Sequence, residues 1–194
     1  MRIAVDAMGA ERGIGIVVEG AIRAVQEEPR IEIILVGDKD KIEEEIRLSK
    51  FKEVPFSMVH APQIVKMTDS ATVSLKEKKN SSIAVALNLL NQKKAEALVS
   101  AGNTGAVMTA SLLKLGKLKG VKRPCLAAVF PTLNGKKVVL LDVGANVDCR
   151  PYHLFQFAIM GSIYAYKILR IRNPRVGLLS IGEEENKGNE LVLQ

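Results

Sequence analysis

The chain has 194 residues and a formal net charge of +7, with 47% hydrophobic and 25% charged residues, a composition typical of a globular chain that buries a core. Aromatic residues make up only 4% and tryptophan is absent, so we expect an aliphatic interior of helices on a sheet. Two cysteines exclude a disulfide framework, and without aromatic interleaving or a long Lys/Arg block the charge favours acidic or phosphate-bearing partners over nucleic acid.

The N-terminus runs from Met1 directly into the strand-like residues Arg2–Val5, without a signal-type apolar segment. No apolar run approaches the ~20 residues that a membrane span needs. We therefore expect a soluble, cytoplasmic protein with reduced thiols. No His/Cys cluster indicates zinc, and we predict neither a metal nor another cofactor.

Short apolar runs alternate with longer segments of helical period along the chain. The predicted strands are Ile3–Val5, Ile31–Val36, Phe56–Val59, Ala95–Val99, Leu126–Phe130, Val138–Leu141 and Val176–Leu179. The predicted helices are Ile16–Glu27, Asp38–Leu48, Ile83–Gln92, Thr104–Leu115 and His153–Leu169. This alternation predicts an α/β fold of three α/β/α layers with a mostly parallel sheet. The Asn134–Gly135 pair predicts an antiparallel hairpin, and with it a mixed sheet.

No repeat or linker interrupts the chain, so residues 1–194 are predicted to form a single α/β domain. The least regular segment, Ala61–Ser82, is polar and ends at Ser81, a good helix N-cap. A long loop in a compact domain is often functional. The final residues, Gly188–Gln194, are typical of a turn followed by the first turn of a helix. We therefore expect the chain to be the N-terminal portion of a longer fold whose C-terminal part is missing.

Small, glycine-containing turns follow four of the predicted strands, at the sheet edge where open α/β proteins bind ligands. They are Asp6–Gly9, Ser100–Gly105, Asp142–Asn146 and Ser180–Glu190. In the second of them, glycines let backbone N–H groups approach a ligand, and a helix begins at Thr104. This turn predicts a phosphate or oxyanion site that needs no metal; a plain strand–helix turn capped by Asn103 is the alternative.

Other candidates carry weaker signals. Lys187, between acidic residues and Gly188, is a candidate for neutralising developing charge, or a solvated lysine. The run Glu183–Glu185 indicates a solvated surface rather than a metal site. His60 could act as an acid or base near neutral pH, but a structural or surface role is favoured. Cys149 lacks a visible base, capping explains His153, and Cys125 is expected in the core. A third dinucleotide-loop glycine, a GxxxxGK[ST] loop and a GxSxG elbow are all missing, which disfavours dehydrogenases, P-loop NTPases and α/β-hydrolases.

Several segments, in order and spacing over the whole chain, resemble the PlsX-type phosphate acyltransferase family. They are Val5–Gly9, His60–Pro62, Lys78–Ser82, Val99–Gly105, Arg123-Pro124, Pro131–Gly135, Leu141–Cys149, Gly182–Glu184 and Lys187–Glu190. The resemblance implies an isocitrate dehydrogenase-like and phosphotransacetylase-like fold. It also implies transfer of a long-chain acyl group from acyl-acyl-carrier protein to inorganic phosphate, giving acyl phosphate for phospholipid synthesis.

The resemblance also implies roles for particular residues. The residues expected to bind phosphate or substrate are Asp6, Gly9, Ser100, Gly102, Asn103, Thr104, Gly105, Asp142, Gly144, Gly182 and Gly188. Catalytic roles fall to Lys187, which would stabilise charge, and to Asn146 and Asn189 as neutral donors. Since acyl-carrier proteins are acidic, Lys76, Lys78 and Lys79 form one expected docking patch; Lys114, Lys117, Lys119, Lys122 and Arg123 form another. A homodimer and peripheral membrane contact are further expectations.

The chain departs from the family pattern at Ala10, Glu11, Ser70, Ala71 and Asn186, and in its length. Two alternatives therefore stay open. One is a phosphotransacetylase-like enzyme acting on short acyl-CoA. The other is an inactive, truncated module that keeps carrier-protein or phosphate binding.

Overall fold

A computed structural model describes residues 1–49, 56–70, 76–182, 184 and 186–193. The chain divides into two compact units, Met1–Gly116 and Lys117–Gln194. The single domain expected from the sequence stays a prediction.

The first unit is built on a parallel sheet of four strands in the order β3-β2-β1-β4. The strands are β1 Arg2–Asp6, β2 Glu32–Gly37, β3 Ser57–His60 and β4 Ala97–Ser100. The helices are α1 Ile14–Glu27, α2 Lys39–Leu48, α3 Ser82–Asn91 and α4 Thr104–Leu115. Every element that the sequence predicts in this unit is confirmed, with ends that differ by a few residues at most.

The alternation of side chains along the strands explains why helices cover both faces of this sheet. Val5 and Leu35 point to one face, where they pack in a buried cluster with Val18 of α1 and Ile42 of α2. The neighbouring residues of the same strands pack on the other face against α3, in a second cluster formed by Ala4, Ile34, Val36, Ala61, Ala86, Leu89 and Ala95. The three α/β/α layers and the mostly parallel sheet are therefore confirmed in the first unit.

The second unit contains an antiparallel hairpin of β5 Ala127–Pro131 and β6 Lys137–Leu141, followed by α5 Pro151–Lys167 and α6 Glu190–Leu193. Gly135 adopts a φ of 74° in the hairpin loop, a conformation that glycine tolerates best. The hairpin is confirmed. Within the described residues β5 and β6 pair with each other.

The predicted strand Val176–Leu179 is wrong: this segment has no regular secondary structure. Its apolar residues matched the strand pattern, but a strand also needs a neighbour for its backbone groups. No strand in the described part of the chain pairs with it, and Leu179 is 78% exposed.

The described helices are all too short or too polar to cross a bilayer.

Candidate functional site

A buried carboxyl group joins the turns that follow β1 and β4. Asp6 is fully buried, and its Oδ1 accepts hydrogen bonds from the backbone N–H groups of Met8 at 3.1 Å and Gly9 at 3.2 Å. Its Oδ2 accepts the hydroxyl of Ser100 at 2.7 Å. The Ser100 hydroxyl oxygen in turn accepts the N–H of Gly102 at 3.1 Å. Asp6 therefore holds both turns in place.

The backbones of these two turns touch at a pair of glycines. A Cβ added to Gly9 would lie 2.8 Å from the Cα of Gly102, and one added to Gly102 would lie 3.1 Å from the Cα of Gly9. Both residues are buried. The absence of side chains is therefore what allows the turns to approach.

The helix α4 begins at the end of the second turn. Asn103 is its N-cap, with Oδ1 accepting the N–H of Ala106 at 3.0 Å. Thr104 and Gly105 occupy the first two helical positions, where helical geometry provides no acceptor for their N–H groups. The positive end of a 12-residue helix thus faces the turn.

The amide nitrogen of Asn103 contacts a neighbouring loop, and its predicted role in phosphate binding stays a prediction. Nδ2 donates toward three backbone carbonyls, those of Lys66 at 3.2 Å, Met67 at 3.1 Å and Asp69 at 3.0 Å. Its two hydrogens are therefore directed into the 66–69 loop. In this structure Asn103 holds a neighbouring loop rather than presenting a free donor to a ligand.

The same loop engages one of the lysines expected to dock a carrier protein. Lys78 Nζ forms an ion pair with Asp69 Oδ2 and donates to the carbonyl of Ile64 at 2.9 Å. The hydrogen bond from Lys78, together with one from the N–H of Lys66, lowers the pKa of Asp69. Lys76 and Lys79 are exposed. The Asp69–Lys78 pair was not predicted, because two residues nine apart in an irregular segment share no periodic signal.

In the second unit, Asp142 and Asn146 form another compact turn. Asp142 Oδ1 accepts the N–H of Leu126 at 2.7 Å, and Oδ2 accepts the backbone N–H of Asn146 at 2.7 Å and its Nδ2 at 3.1 Å. Asn146 Nδ2 also donates to the carbonyl of Pro124 at 2.9 Å. Partial burial alone would raise the pKa of Asp142, but these hydrogen bonds outweigh it and lower the pKa. Burial, with the nearby Asp142 charge second, raises the pKa of Cys125 to about 11.

Gly144 lies within this turn at a φ of 105°, in the region that favours glycine. The side chain of Asn146, predicted to be a neutral donor, donates within the turn to Asp142 Oδ2 and outside it to the carbonyl of Pro124. Its catalytic role stays a prediction, as do the binding roles of Asp142 and Gly144.

Lys187 lies in a loop that Gly182 and Asn189 shape. The N–H of Lys187 donates to the carbonyl of Glu184 at 3.0 Å, and a Cβ on Gly182 would lie 2.8 Å from Lys187 Cγ. Gly188 has a φ of 126°, and Asn189 Oδ1 accepts the N–H of Val192 at the start of α6. Among the described residues, none forms an ion pair with the Lys187 ammonium group. Asn189 is thus a capping residue whose predicted catalytic role is untested.

The remaining candidates have simple structural contacts. His60 is exposed, and its Nδ1 accepts the N–H of Lys39 at 3.3 Å. His153 caps α5 through the N–H of Arg150 at 3.1 Å, while burial and then the charges of Arg123 and Arg150 lower its pKa. No cluster of potential metal ligands occurs in the described ranges. Ala71, Glu183 and Glu185 lie outside the described residues.

Comparison with known proteins gives matches over the whole chain. The family model described as "Fatty acid synthesis protein" matches residues 1–194. A phosphate acyltransferase of Geotalea daltonii is 49% identical over 192 residues, which cover 99% of this chain and 55% of the relative. One of Thermoanaerobacterium thermosaccharolyticum is 46% identical over 194 residues, which cover 100% of this chain and 56% of the relative. The chain spans about half the length of the curated relatives it matches.

Solved structures resemble the chain in fold. A phosphotransacetylase from Streptococcus pyogenes superposes with a TM-score of 0.67 at 16% identity, covering 88% of this chain and 55% of that chain. The EutD phosphotransacetylase from Staphylococcus aureus gives a TM-score of 0.63 at 17% identity, covering 85% and 52%. At such identities the likeness shows the fold alone, and the predicted phosphotransacetylase-like fold is confirmed.

Proposed function

The chain belongs to the fatty acid synthesis protein family, and on that premise we propose that it transfers a long-chain acyl group from acyl-acyl-carrier protein to inorganic phosphate. The product, an acyl phosphate, would serve phospholipid synthesis. The relatives named phosphate acyltransferase, at about 50% identity, support the acyl transfer to phosphate. The carrier-protein thioester as acyl donor and the role in phospholipid synthesis are proposed from the family resemblance.

The observation that carries the proposal is the Ser100–Gly105 turn, held against the Asp6–Gly9 turn. The N–H groups of Thr104 and Gly105 begin α4 without intrahelical acceptors, at the positive end of the helix dipole. Gly102 and Gly9 leave room for backbone rather than side chains. Such a helix start binds phosphate through backbone N–H groups and needs no metal.

The chemistry needs no nucleophilic side chain, because phosphate is the nucleophile. An oxygen of HPO₄²⁻ attacks the thioester carbonyl carbon and forms the new C–O bond, while the carbonyl electron pair moves onto oxygen. The C–S bond then breaks, and the phosphate proton goes to the departing thiolate. The products are acyl phosphate and the free thiol of the carrier. What the protein must supply is alignment of the two reactants and stabilisation of the oxyanion.

Lys187 is the proposed source of positive charge for that oxyanion. The carbonyl of Glu184 accepts the backbone N–H of Lys187, and among the described residues none forms an ion pair with its ammonium group. Asn189 caps α6 directly after it, which supports a positioning role alongside the predicted donor role. Lys187→Ala should therefore lower the transfer rate, and Lys187→Arg, which keeps the charge, should lower it less. Normal transfer by Lys187→Ala would refute this assignment.

For the carrier protein, we propose docking on exposed lysines near the 66–69 loop. Lys76 and Lys79 are the exposed members of the first patch, whereas Lys78 is occupied by Asp69. The second patch, Lys114 to Arg123, stays an alternative docking surface. Charge reversal at Lys76 and Lys79 that left carrier affinity unchanged would exclude the first patch. A homodimer and contact with the inner face of the cell membrane are further proposals from the family.

The test is phosphate-dependent release of free carrier protein from palmitoyl-acyl-carrier protein by the purified chain, with palmitoyl-CoA and acetyl-CoA as parallel substrates. Turnover of palmitoyl-acyl-carrier protein, without turnover of either CoA thioester, supports the proposal. A preference for acetyl-CoA would indicate the phosphotransacetylase alternative. Phosphate or carrier binding without turnover on any thioester would indicate a binding module.

A further inference from the structure

The amide group of Asn103 is bonded at both ends, to two different parts of the first unit. Oδ1 accepts the N–H of Ala106 inside α4, and Nδ2 donates to carbonyls of the 66–69 loop. A rotated amide would place its oxygen against carbonyl oxygens and its N–H₂ against an N–H, so only one orientation satisfies both sides. The side chain therefore fixes the loop relative to the first turn of α4.

The 66–69 loop is itself restrained on its other side. Lys66 and Asp69 close a tight turn, because the N–H of Asp69 donates to the Lys66 carbonyl at 3.1 Å and the N–H of Lys66 donates to Asp69 Oδ2 at 2.8 Å. Lys78 reaches the same Oδ2 and also the Ile64 carbonyl. Just before the loop, Val65 is 1% exposed and packs with residues of α3 and α4, namely Ile83, Leu87, Ala106 and Ala110.

These contacts form an unbroken series from a lysine-bearing segment to the start of α4. It runs from Lys78 through Asp69 to the loop carbonyls, and from there through Asn103 to the Ser100–Gly105 turn. Asp69 and Lys78 are only 25% and 28% exposed, so their ion pair is screened less by solvent than a surface pair. Lys76 and Lys79 flank Lys78 and are exposed.

We propose that Asn103, Asp69 and Lys78 form a clamp that positions the phosphate-binding turn and links it to the lysine segment. The three are positioning residues: none needs to touch phosphate, and each acts through the 66–69 loop. This inference rests on the proposed function, because it takes the turn at Thr104 and Gly105 as the phosphate site. By linkage, a carrier protein docked on Lys76 and Lys79 and phosphate bound at the turn would change each other's affinity by the same factor.

The variant that separates the clamp from simple helix capping is Asn103→Ser. Serine still caps α4, since its hydroxyl oxygen accepts a backbone N–H as asparagine does, but it lacks the amide that reaches the loop. Asp69→Asn removes the charge from the other side of the loop with little change of shape. Lys78→Met removes Nζ while keeping the aliphatic stem. Arg23→Met is the matched control, because Arg23 forms an exposed ion pair with Glu19 on α1.

The measurement is binding of inorganic phosphate to each purified variant by titration calorimetry, with urea unfolding to verify that each is folded. Asn103→Ser, Asp69→Asn and Lys78→Met should each bind phosphate roughly tenfold more weakly, about the worth of one or two hydrogen bonds. Arg23→Met should bind like the parent. Because the three residues act through one loop, the double variant Asn103→Ser/Asp69→Asn should bind no more weakly than the weaker single variant.

Two results would overturn the clamp while leaving the phosphate site intact. One is parent-like phosphate affinity in folded Asn103→Ser, which would reduce Asn103 to a cap. The other is full additivity in the double variant, which would separate Asn103 from Asp69. Failure of the parent chain itself to bind phosphate would overturn the proposed site, and the clamp with it.

Discussion

The hydroxyl of Ser100, at the end of β4, donates a 2.7 Å hydrogen bond to Oδ2 of Asp6, at the end of the neighbouring strand β1. This bond joins two turns that lie 94 residues apart in sequence. The other carboxyl oxygen accepts two backbone N–H groups of the β1 turn. A single buried carboxyl group therefore supports both the stability of the first unit and the shape of the proposed phosphate site.

The first prediction concerns that carboxyl group. Asp6→Ala should lower the free energy of unfolding by about 3 kcal/mol, because it leaves two buried N–H groups and a hydroxyl without an acceptor. Ser100→Ala removes the donor to Asp6 and the acceptor of the Gly102 N–H and should cost about 1–2 kcal/mol. Urea unfolding measures both. Since the two residues share a bond, the double variant should lose less stability than the sum of the two single losses; strictly additive losses would contradict the contact.

The second prediction concerns the glycine contact. A Cβ at Gly9 would lie 2.5 Å from Asp6 Oδ2 and 2.8 Å from the Gly102 Cα, so Gly9→Ala must push backbone apart. We expect the free energy of unfolding to fall by about 2 kcal/mol or more, and phosphate binding to weaken. Gly20, exposed in the middle of α1, has nothing within 4 Å of an added Cβ. Gly20→Ala should therefore stabilise the chain, by about 0.5–1 kcal/mol, and equal effects of the two variants would contradict the packing.

A pH dependence follows from Asp142. Its hydrogen bonds lower its pKa from the ordinary value of 3.8, so its contribution to stability is complete above about pH 5 and is lost as the pH falls through the folded-state pKa. Asp142→Asn should be less stable than the parent at pH 7, with the difference shrinking on acidification below pH 5. Urea unfolding of both proteins between pH 7 and pH 3 measures it. A difference that is constant with pH would show that the charge contributes nothing.

Cys125 offers a chemical test of the second unit. Its pKa rises from 9.0 to about 11, and alkylation proceeds through the thiolate. In a Cys149→Ser background, Cys125 should therefore react with iodoacetamide about 100-fold more slowly in the folded chain than in urea at pH 8. Equal rates in the two states would mean that the hairpin and the Asp142 turn do not shield this thiol.

Regular elements of the first unit were predictable because their signals are local. Apolar runs marked its four strands, helical periods marked its helices, and Ser81 and Asn103 are residue types typical of helix N-caps. The turns after β1 and β4 were predictable as a shared edge, because parallel strands bring their carboxyl ends together. For the elements and their caps, the local pattern was sufficient.

What failed to be predicted depends on partners distant in sequence. Val176–Leu179 has a strand-like composition, but composition does not reveal whether a neighbouring strand pairs with it. The bonds from Asn103 to the loop carbonyls span 34 to 37 residues, and no spacing rule reports them. The charge of Lys78 in the sequence predicts a docking role, whereas no sequence signal predicts its ion pair with Asp69.

The last prediction contrasts two adjacent serines at the start of α3. Ser81 is the N-cap, and its hydroxyl oxygen accepts the N–H of Ala84 at 3.4 Å. The hydroxyl of Ser82 is buried, with no hydrogen-bond partner among the described residues. Ser81→Ala should therefore destabilise the chain by about 1 kcal/mol, while Ser82→Ala should stabilise it by about 1 kcal/mol, because desolvating an unpaired hydroxyl is costly. Urea unfolding of the two variants measures both changes in the free energy of unfolding. A loss of stability in Ser82→Ala would mean that the Ser82 hydroxyl is hydrogen-bonded in solution.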